Sequence, residues 1–428
     1  MSNAAALSAL QAGQNAFTAV GNNIANTQTN GAKRESAAFS SVLAGVSMPN
    51  TFVAGGVNTN NIRYNNEQGL MENTSSTTDI AIGGNGFFVV SSGVVTPGQN
   101  GASIGYTRAG QYQPDNNGYL MNVANGQYLL GWATDGNGNP TQSVTGTLTS
   151  LQSIQVNANV SLTNPTSQLT LGLNLPSTDP VAQVRQSSVQ VYDSLGASHT
   201  LTISWTKTSN SPNTWTASIT SPTATSVEKN TVGSGTPYAT MTVIFNGQGQ
   251  PVSFDGNPNP PNIAIKWNGA ANNSIINLNL GTVNTSTGVT CNAGNFEIIQ
   301  TQQDGKEIGK FSGVNIDDNG VVTAVYTNGE TLMIYRVALA MFAAPNDLAA
   351  QIGNVFLQTN ASGTFNLGFA NQNGFGSIQS NALEQSTVDL ATELTDMMAI
   401  QRYYSSNTQV IKADQDMFTV LLSNLRSS

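Results

Sequence analysis

The chain has 428 residues, enough for about two to four domains with apolar cores. Charged residues make up only 9% of it, against about a quarter in ordinary soluble domains, and the hydrophobic content of 39% is too high for a disordered chain. The formal net charge is −9, and 14 Lys and Arg residues leave no basic surface for a run of phosphates. We therefore expect no nucleic-acid partner. A surface this weakly charged does little to keep copies of the chain apart, which suits a protein that assembles.

The sequence shows neither a cleavable secretory signal nor a membrane span. The first charged side chain is Lys33, and polar residues interrupt the apolar stretch 7–20. The longest strongly apolar run, residues 337–344, is far shorter than the roughly 20 residues of a spanning helix. We therefore expect no membrane insertion, and we expect any export to use another route.

The first predicted element is a helix over about residues 4–25. The first 32 residues contain no charged side chain, so the polar face of this helix is made of Ser, Gln and Asn. Such a helix is expected to be buried among neighbours. Its large apolar residues recur at heptad spacing and predict an assembly seam: Leu7, Leu10, Phe17 and Ile24.

The middle of the chain, from about residue 70 to 375, is predicted to be β-structure without long helices. Short β-branched and aromatic runs alternate there with turn residues, among them Asn-Gly pairs at residues 117, 125, 319 and 328. One predicted hairpin joins residues 321–326 to 331–337, and another surrounds the turn at 194–196. The pattern leaves open whether this region is one β-domain or two.

The last predicted element is a helix from about Glu384 to Leu425, roughly 60 Å long. Its start could be capped by Asn381 with Glu384, or by Ser386 with Asp389. An unbroken heptad repeat, with a second row four residues on, gives the second half of the predicted seam: Leu383, Leu390, Leu394, Met397, Tyr404, Ile411, Phe418, Leu422 and Leu425. A helix this long needs a partner along its length, so we expect the two ends to pair as a coiled coil.

These elements predict a multidomain α+β fold, with paired terminal helices and predominantly antiparallel β-domains inserted between them. The predicted division is a terminal helical domain (1–30 and 384–428), extended connecting segments (31–70 and 363–383), an inner β-domain (71–150 and 304–362) and an outer β-domain (151–303).

Candidate chemistry is sparse. His199, the only histidine, is predicted to be a solvated strand residue, and the single Cys291 cannot form an intrachain disulfide. The run from Asp135 imitates a calcium loop but lacks its turn glycine and bidentate acid, so a plain turn is predicted. Ser204 and Lys207 have the spacing of a serine-lysine nucleophile, yet they lie on an alternating strand. We expect no catalytic residue, cofactor or metal site.

Several motifs resemble those of the axial proteins of the bacterial flagellum. The N-terminal signature is Asn22, Asn23, Ile24, Ala25 and Asn26, followed by Gly31 and Lys33. Ala32 stands where the family usually has an aromatic residue, so packing after the first helix is expected to differ. Further similar segments are 78–82, 86–90, 106–110, 117–120, 126–129, 383–390 and 401–407, although Thr387 replaces a more usual Asn.

Within that family, the length favours hook subunits, because rod proteins lack most of the segment 152–303. Residues 191–196 and 311–330 are also similar to hook subunits. The resemblance implies a structural subunit that self-assembles into a curved, flexible tube and transmits torque from rod to filament. It also implies export through the flagellar type III apparatus, an extracellular place at the flagellar hook, and four kinds of partner: further copies, the distal rod, the hook cap and the hook–filament junction proteins.

Two other readings stay open. The nearer alternative is a distal rod or other axial subunit. The more distant one is a secreted β-rich protein, either a glycan-cleaving enzyme using acids such as Asp317 and Asp318, or an adhesin or phage-tail-like binding module. Heptad repeats at both termini favour the assembling subunit, because neither rival requires them.

Overall fold

The computed structural model describes residues 2–43, 54–96, 102–142, 147–156, 161–230, 233, 238 and 241–426, without the side chains of 2–4, 43, 54 and 424–426. Contacts divide the chain into two compact units. The first comprises residues 1–157, 313–325 and 331–428, and the second comprises residues 158–312 and 326–330. The four-part domain division made from the sequence stays a prediction.

A helix lies at each end of the first unit: α1 spans Ser2–Ala25 and α2 spans Leu390–Arg426. Helix α2 is about 55 Å long at 1.5 Å per residue. After α1 the chain forms a long antiparallel hairpin of β1 (Glu35–Leu43) and β2 (Ala54–Arg63). This hairpin packs on α1, where the backbone N–H of Val57 donates to Ser8 Oγ at 3.0 Å.

The first unit continues with short strands that surround an apolar core. Strand β5 lies between β6 and β9 in the main sheet of this unit. Its residues are buried on both faces, and Phe87 packs edge-on against Phe356, 5.8 Å away. The strands are β3 (Met71–Asn73), β4 (Ile80–Gly83), β5 (Phe87–Ser91), β6 (Ile104–Thr107), β7 (Tyr112–Pro114), β8 (Leu120–Asn122), β9 (Tyr128–Gly136) and β10 (Gln152–Ser153).

Two larger sheets of the second unit share one core, and the unit also contains a two-stranded sheet of β11 and β23. One sheet has the order β13-β14-β15-β17-β18, and the other has the order β16-β19-β20-β12-β21 with β22 also paired to β12. Its strands are β11 (Leu162–Asn164), β12 (Gln168–Asn174), β13 (Val184–Tyr192), β14 (Ser198–Asn210), β15 (Asn213–Thr220), β16 (Ala224–Lys229), β17 (Met241–Phe245), β18 (Pro251–Phe254), β19 (Ile263–Trp267), β20 (Ser274–Asn279), β21 (Val289–Thr290), β22 (Glu297–Gln303) and β23 (Lys306–Gly309). Alternate residues of β14 point inward, and Trp205 is fully buried with Trp215 of the neighbouring strand.

The chain then returns to the first unit. The returning strands are β24 (Phe311–Ile316), β25 (Val321–Tyr326), β26 (Thr331–Val337), β27 (Leu339–Met341), β28 (Ala349–Gln351), β29 (Val355–Leu357), β30 (Asn366–Gly368), β31 (Ser377–Ser380) and β32 (Ala382–Glu384). Strand β31 pairs with β4, and β32 pairs with β3. The last strands before α2 are therefore fastened to the first strands after the hairpin. Short 3-10 helices also occur at Leu148–Ser150 and Pro345–Asp347.

The predicted hairpins are confirmed, and several other tight turns share one hydrogen-bonding pattern with the turn of the β13–β14 hairpin. β25 pairs with β26, and β13 pairs with β14. In the turns that begin at Asp115, Asp193 and Asp317, the aspartate Oδ1 accepts backbone N–H groups two and four residues on. A glycine with positive φ follows three residues after each aspartate, such as Gly196 at +77°. Asp135 forms the same turn, so the plain-turn interpretation of this run is what the structure shows.

The prediction for the start of the C-terminal helix was wrong. Helix α2 begins at Leu390, where the Asp389 carboxylate accepts the Thr392 N–H at 2.8 Å as an N-cap. Leu383 and Glu384 lie instead in β32, paired with residues 71 and 72. Pairing with a strand more than 300 residues earlier, together with burial of both side chains, overrides the local heptad pattern.

The predicted fold class is confirmed at a coarse level. The described residues form a mostly β structure with largely antiparallel sheets, a helix near each end and no long helix in the middle. The two helices contact each other, since Tyr403 of α2 packs against Gly13 of α1. Pairing as a regular coiled coil stays a prediction.

Candidate functional site

The N-terminal signature forms the turn that leaves α1. Asn23 is buried and holds this turn, because its Nδ2 donates to the Glu35 carbonyl at 2.7 Å and its Oδ1 accepts the Glu35 N–H at 3.0 Å. Asn26 closes the end of the helix by donating through its backbone and side chain to the Asn22 carbonyl. Gly31 then takes a φ of +70°, and its N–H donates to the Glu384 carbonyl at 2.8 Å. Ala32, where the family usually has an aromatic residue, is buried.

A buried ion-pair cluster lies next to this turn. The Lys33 Nζ is 2.5 Å from Glu384 Oε1, and Arg108 Nη1 is 3.2 Å from Glu384 Oε2. The Glu384 carboxylate also accepts the Gly69 N–H at 2.9 Å, while Lys33 makes a second, short bond to the Glu67 carbonyl. All three charged side chains are almost completely buried. The Glu384 carboxylate, at the end of β32, therefore links the segment before α2 to Lys33 in the segment after α1 and to Arg108 next to β6.

Electrostatics make Glu384 the member on which the other two depend. Burial lowers the pKa of the Lys33 ammonium, and the nearby Glu384 carboxylate opposes that shift. Burial also lowers the pKa of the Arg108 guanidinium, again opposed by Glu384. Two buried cations share this anion, so its removal would leave Arg108 without its opposite charge and Lys33 with only the weaker attraction of Glu67.

A second group of polar residues ties the start of α2 to the turn. Arg34 Nε donates to Glu393 Oε1 at 2.6 Å, and Arg34 Nη2 donates to Asp396 at 2.9 Å. The hydrogen bond to Glu393 is the main reason that the pKa of Arg34 is raised. Asn23 Nδ2 donates to the other oxygen of the fully buried Glu393 at 3.0 Å. We call these two groups together the terminal junction: Asn23, Lys33, Arg34, Arg108, Glu384, Glu393 and Asp396.

The structure brings some sequence motifs together that the sequence did not connect. Lys33, Arg108 and Glu384 each stand in a motif that resembles the flagellar family, but only Lys33 was predicted as a site residue. The scarcity of charge was the available signal, because in a chain with 14 Lys and Arg residues a charged side chain inside a motif is unusual. Contact across 276 to 351 residues gives no local pattern that would reveal the pairing.

The predicted apolar seam occupies a different place from the buried face of α1. That face is a stripe of small residues, namely Ala6, Ala9, Ala12, Ala16, Ala19 and Val20. Of the predicted seam, Leu7, Phe17, Leu390, Leu394, Tyr404, Phe418 and Leu422 are exposed, Leu10, Ile24, Met397 and Ile411 are half-buried, Leu383 is buried, and the side chain of Leu425 lies outside the described residues. Small side chains let the neighbouring elements approach α1 closely, which leaves the large ones outward. The seam as an assembly surface stays a prediction.

A groove between the helices follows from this arrangement. Phe17 of α1 and Ile400 and Tyr404 of α2 line an open cavity of about 410 Å³. The neighbouring Tyr403, which packs on Gly13 of α1, also contacts Phe39 of the β1–β2 hairpin edge-on at 5.8 Å. The terminal helices therefore present apolar surface that this chain alone does not cover.

The residues weighed for catalysis take structural positions. The prediction that His199 is solvated was wrong: its ring stacks on Trp267 at 4.1 Å, with Asp193 2.9 Å from Nε2. Lys207 is buried and donates to the Ser177 carbonyl. Cys291 is buried, and burial raises the pKa of its thiol. Among the described residues no His, Cys, Asp and Glu cluster could hold a metal, and no helix there is long and apolar enough to cross a membrane.

The turn at Gly31 gives a testable local prediction. A Cβ at this position would stand 2.7 Å from the Ala109 nitrogen and would need a left-handed backbone. We expect Gly31→Ala to lower the free energy of unfolding by about 1–3 kcal/mol. Gly21→Ala is the matched control, because a Cβ there meets nothing within 4 Å and should stabilise the helix by about 0.5–1 kcal/mol. Denaturant unfolding should give opposite signs, and equal effects would contradict the role of the turn.

Models of flagellar protein families match most of the β-rich part and the C-terminal end. "Flagellar hook protein FlgE/F/G D1 domain" matches residues 81–171, "Flagellar basal body protein FlaE D2 domain" matches 155–306, and "Flagellar basal body rod FlgEFG protein C-terminal" matches 379–425. The last match includes Glu384 and Glu393 of the terminal junction. These matches, with the fold and the junction, define a structural protein of the flagellar axis with no enzymatic role.

Full-length relatives make the assignment more specific. The flagellar hook protein FlgE of Brucella suis is 34% identical over 426 residues, covering 97% of both chains. The FlgE of Salmonella typhimurium is 31% identical over 454 residues and covers both chains completely, and that of Escherichia coli is 33% identical over 439 residues, covering 98% of this chain and 99% of the relative. The chain belongs to the flagellar hook protein FlgE family and is a structural subunit of the hook.

Proposed function

We propose that copies of this chain polymerise through their terminal helices into the curved, flexible tube that transmits torque from rod to filament. In this proposal the helices line the innermost wall, and the β-rich parts extend outward. The chain is exported through the flagellar type III apparatus to the cell exterior. The ends of the polymer meet the distal rod, the hook cap and the hook–filament junction proteins.

The observation that carries this proposal is the uncovered apolar surface of α2. Large apolar side chains along its second half are half exposed or more: Val410, Met417, Phe418, Val420, Leu421 and Leu422. Scattered exposed apolar residues are ordinary, but a row of them on one long helix marks an interaction site. Full burial of an exposed side chain gains about 1.5–3 kcal/mol, so a neighbour that covers the remaining half or more of each of these gains about 1–2 kcal/mol.

The composition supports a polymer whose subunits slide against one another. Charged residues are 9% of the chain, so contacts between copies are made largely by small uncharged polar groups and isolated apolar ones. Such contacts exchange partners with little loss at each step, whereas an interlocked apolar interface would be rigid.

The helices can be tested by removing them without disturbing the β-structure. A fragment of residues 71–386 begins at β3 and ends just after β32, so it keeps the β3–β32 and β4–β31 pairs. We expect this fragment to unfold cooperatively and to stay soluble without forming tubes at any concentration at which the full chain polymerises. Electron microscopy, with thermal unfolding as the check on folding, measures both properties.

A shorter deletion tests the contribution of α1 alone. The fragment 26–428 lacks only α1, and we expect it also to remain unpolymerised, because both helices contribute to the assembly surface. Tubes formed by the 71–386 fragment would contradict the proposal. A full-length chain that stays monomeric at high concentration would also contradict it.

A further inference from the structure

The turn between β28 and β29 displays one isoleucine almost completely in solvent. Ile352 is 99% exposed, more than any other large apolar side chain among the described residues. A single exposed apolar residue is common and would need no explanation by itself. The turn that carries this one is, however, unusually well fastened.

Three hydrogen bonds hold the two residues after Ile352 to other parts of the first unit. The Gly353 carbonyl accepts from Asn125 Nδ2 at 2.9 Å, and the Asn354 carbonyl accepts from Thr107 Oγ1 at 2.7 Å. Asn354 Nδ2 donates to the Asn30 carbonyl at 3.2 Å. Ile352 is therefore presented on a rigid tip, and little conformational entropy remains to be lost when it is bound.

A groove of matching size lies at the other end of β28. It has a volume of about 220 Å³. Its apolar side is formed by Phe87, Met341, Phe342 and Pro345, and its polar side by Asn65, Asn66, Asn85 and Arg108. A dry cavity of about 150 Å³ is known to hold benzene, so this groove has room for the smaller side chain of isoleucine. We define the four apolar residues as the β28 groove.

We propose that Ile352 of one chain inserts into the β28 groove of a second copy of this chain. The inference rests on the proposed polymerisation. Pro345 of the groove begins the 3-10 helix that leads into β28, and Ile352 directly follows β28. The groove and the inserting side chain therefore lie at opposite ends of this strand. A contact between two different surfaces of the same protein is head-to-tail, and such contacts build open helical stacks instead of closed dimers.

Charge on the two surfaces agrees with this pairing. Residues 348–383, which include the tip, contain no Asp, Glu, Lys or Arg. The one charged residue lining the groove is Arg108, which is buried and paired with Glu384. Neither ion desolvation nor like-charge repulsion therefore opposes the contact.

The surface that Ile352 would bury in the β28 groove is small, which fits a contact between copies inside a polymer. One side chain in a groove covers far less than the roughly 800 Å² per partner that a stable two-body complex needs. The contact cannot hold a dimer in dilute solution. It adds to assembly only where other contacts between the same copies are made at once.

Cysteine cross-linking tests the proposal inside formed tubes. In a Cys291→Ser background, the pair Ile352→Cys and Met341→Cys should give a ladder of disulfide-linked multimers when polymers are oxidised. Either single variant and dilute monomers should give none. The matched control replaces another exposed aliphatic residue of the same unit, with Leu70→Cys and Met341→Cys, and should also give none.

A second measurement keeps the test decisive if the cysteines impair assembly. Ile352→Ser should raise the critical concentration for polymerisation about tenfold or more, with monomer stability unchanged, whereas Leu70→Ser should not. Three results would contradict the insertion of Ile352 into the β28 groove: normal tubes without a ladder, an equal ladder from the control pair, or an unchanged critical concentration. Because tubes form in each of those cases, they would leave the polymerisation proposal standing.

Discussion

Replacing Glu384 by glutamine is expected to lower the free energy of unfolding by about 3–5 kcal/mol. The substitution keeps the shape of the side chain but removes the anion that Lys33 and Arg108 share, and both of these cations are buried. The first unit should lose on the order of 10 °C in melting temperature. Because Lys33 lies in the segment after α1 and Glu384 in the segment before α2, both segments should loosen together.

The control is the same substitution one strand away. Glu72 lies on β3, which pairs with the strand of Glu384. Its side chain is exposed, and its carboxylate accepts a hydrogen bond from Gln385 Nε2 at the surface. We expect Glu72→Gln to change stability by less than about 0.5 kcal/mol. Adding Lys33→Met to Glu384→Gln should recover part of the loss, because one unpaired cation is then removed. If Glu384→Gln unfolds like Glu72→Gln, the terminal junction does not stabilise the protein.

The second large effect concerns assembly and leaves the monomer intact. Phe418 and Leu422 are 65% and 50% exposed and lie one helical turn apart on α2. Replacing both with serine removes exposed apolar surface worth about 2–3 kcal/mol if neighbours bury it, which raises the critical concentration by about one to two orders of magnitude. We therefore expect no tubes at working concentrations and no motility from a strain that carries this variant.

The control for that variant removes similar surface elsewhere. Leu195 and Ile299 of the second unit are 57% and 66% exposed, so their replacement by serine deletes comparable apolar area. This pair should leave polymerisation within a fewfold of the unchanged chain. Melting temperatures of both variants should match that of the unchanged chain. Normal tubes from the Phe418→Ser, Leu422→Ser variant would show that this part of α2 is not an assembly surface.

Local patterns predicted the elements that depend on local physics. Alternating apolar residues and turn residues identified the β25–β26 hairpin, which turns at Asn328 and Gly329, and the β13–β14 hairpin, which turns at residues 194–196, because turn residues and side-chain period decide such pairs. The heptad repeat identified α2 from Leu390 onward. It failed at Leu383, where a strand partner near residue 72 supplies burial that a helix could not.

The packing of the helices and the terminal junction could not be predicted in the same way. A heptad search selects large side chains such as Leu7 and Phe17. The buried face of α1 is instead made mainly of alanines, which contribute little to a hydrophobic periodicity signal. The junction depends on Lys33 and Glu384 meeting across 351 residues. Only the fold brings them together, although their positions inside recognisable motifs marked them as unusual.

Hydrogen exchange tests the central claim most directly by comparing the same chain as dilute monomer and as tube. If the terminal helices are the assembly element, amides of residues 415–423 of α2 should exchange readily in the monomer, where their side chains are exposed, and become strongly protected in the tube. Amides of the buried strands β5 and β14 should be protected equally in both states. Full protection of α2 in the dilute monomer, or a tube in which α2 gains none, would contradict the account.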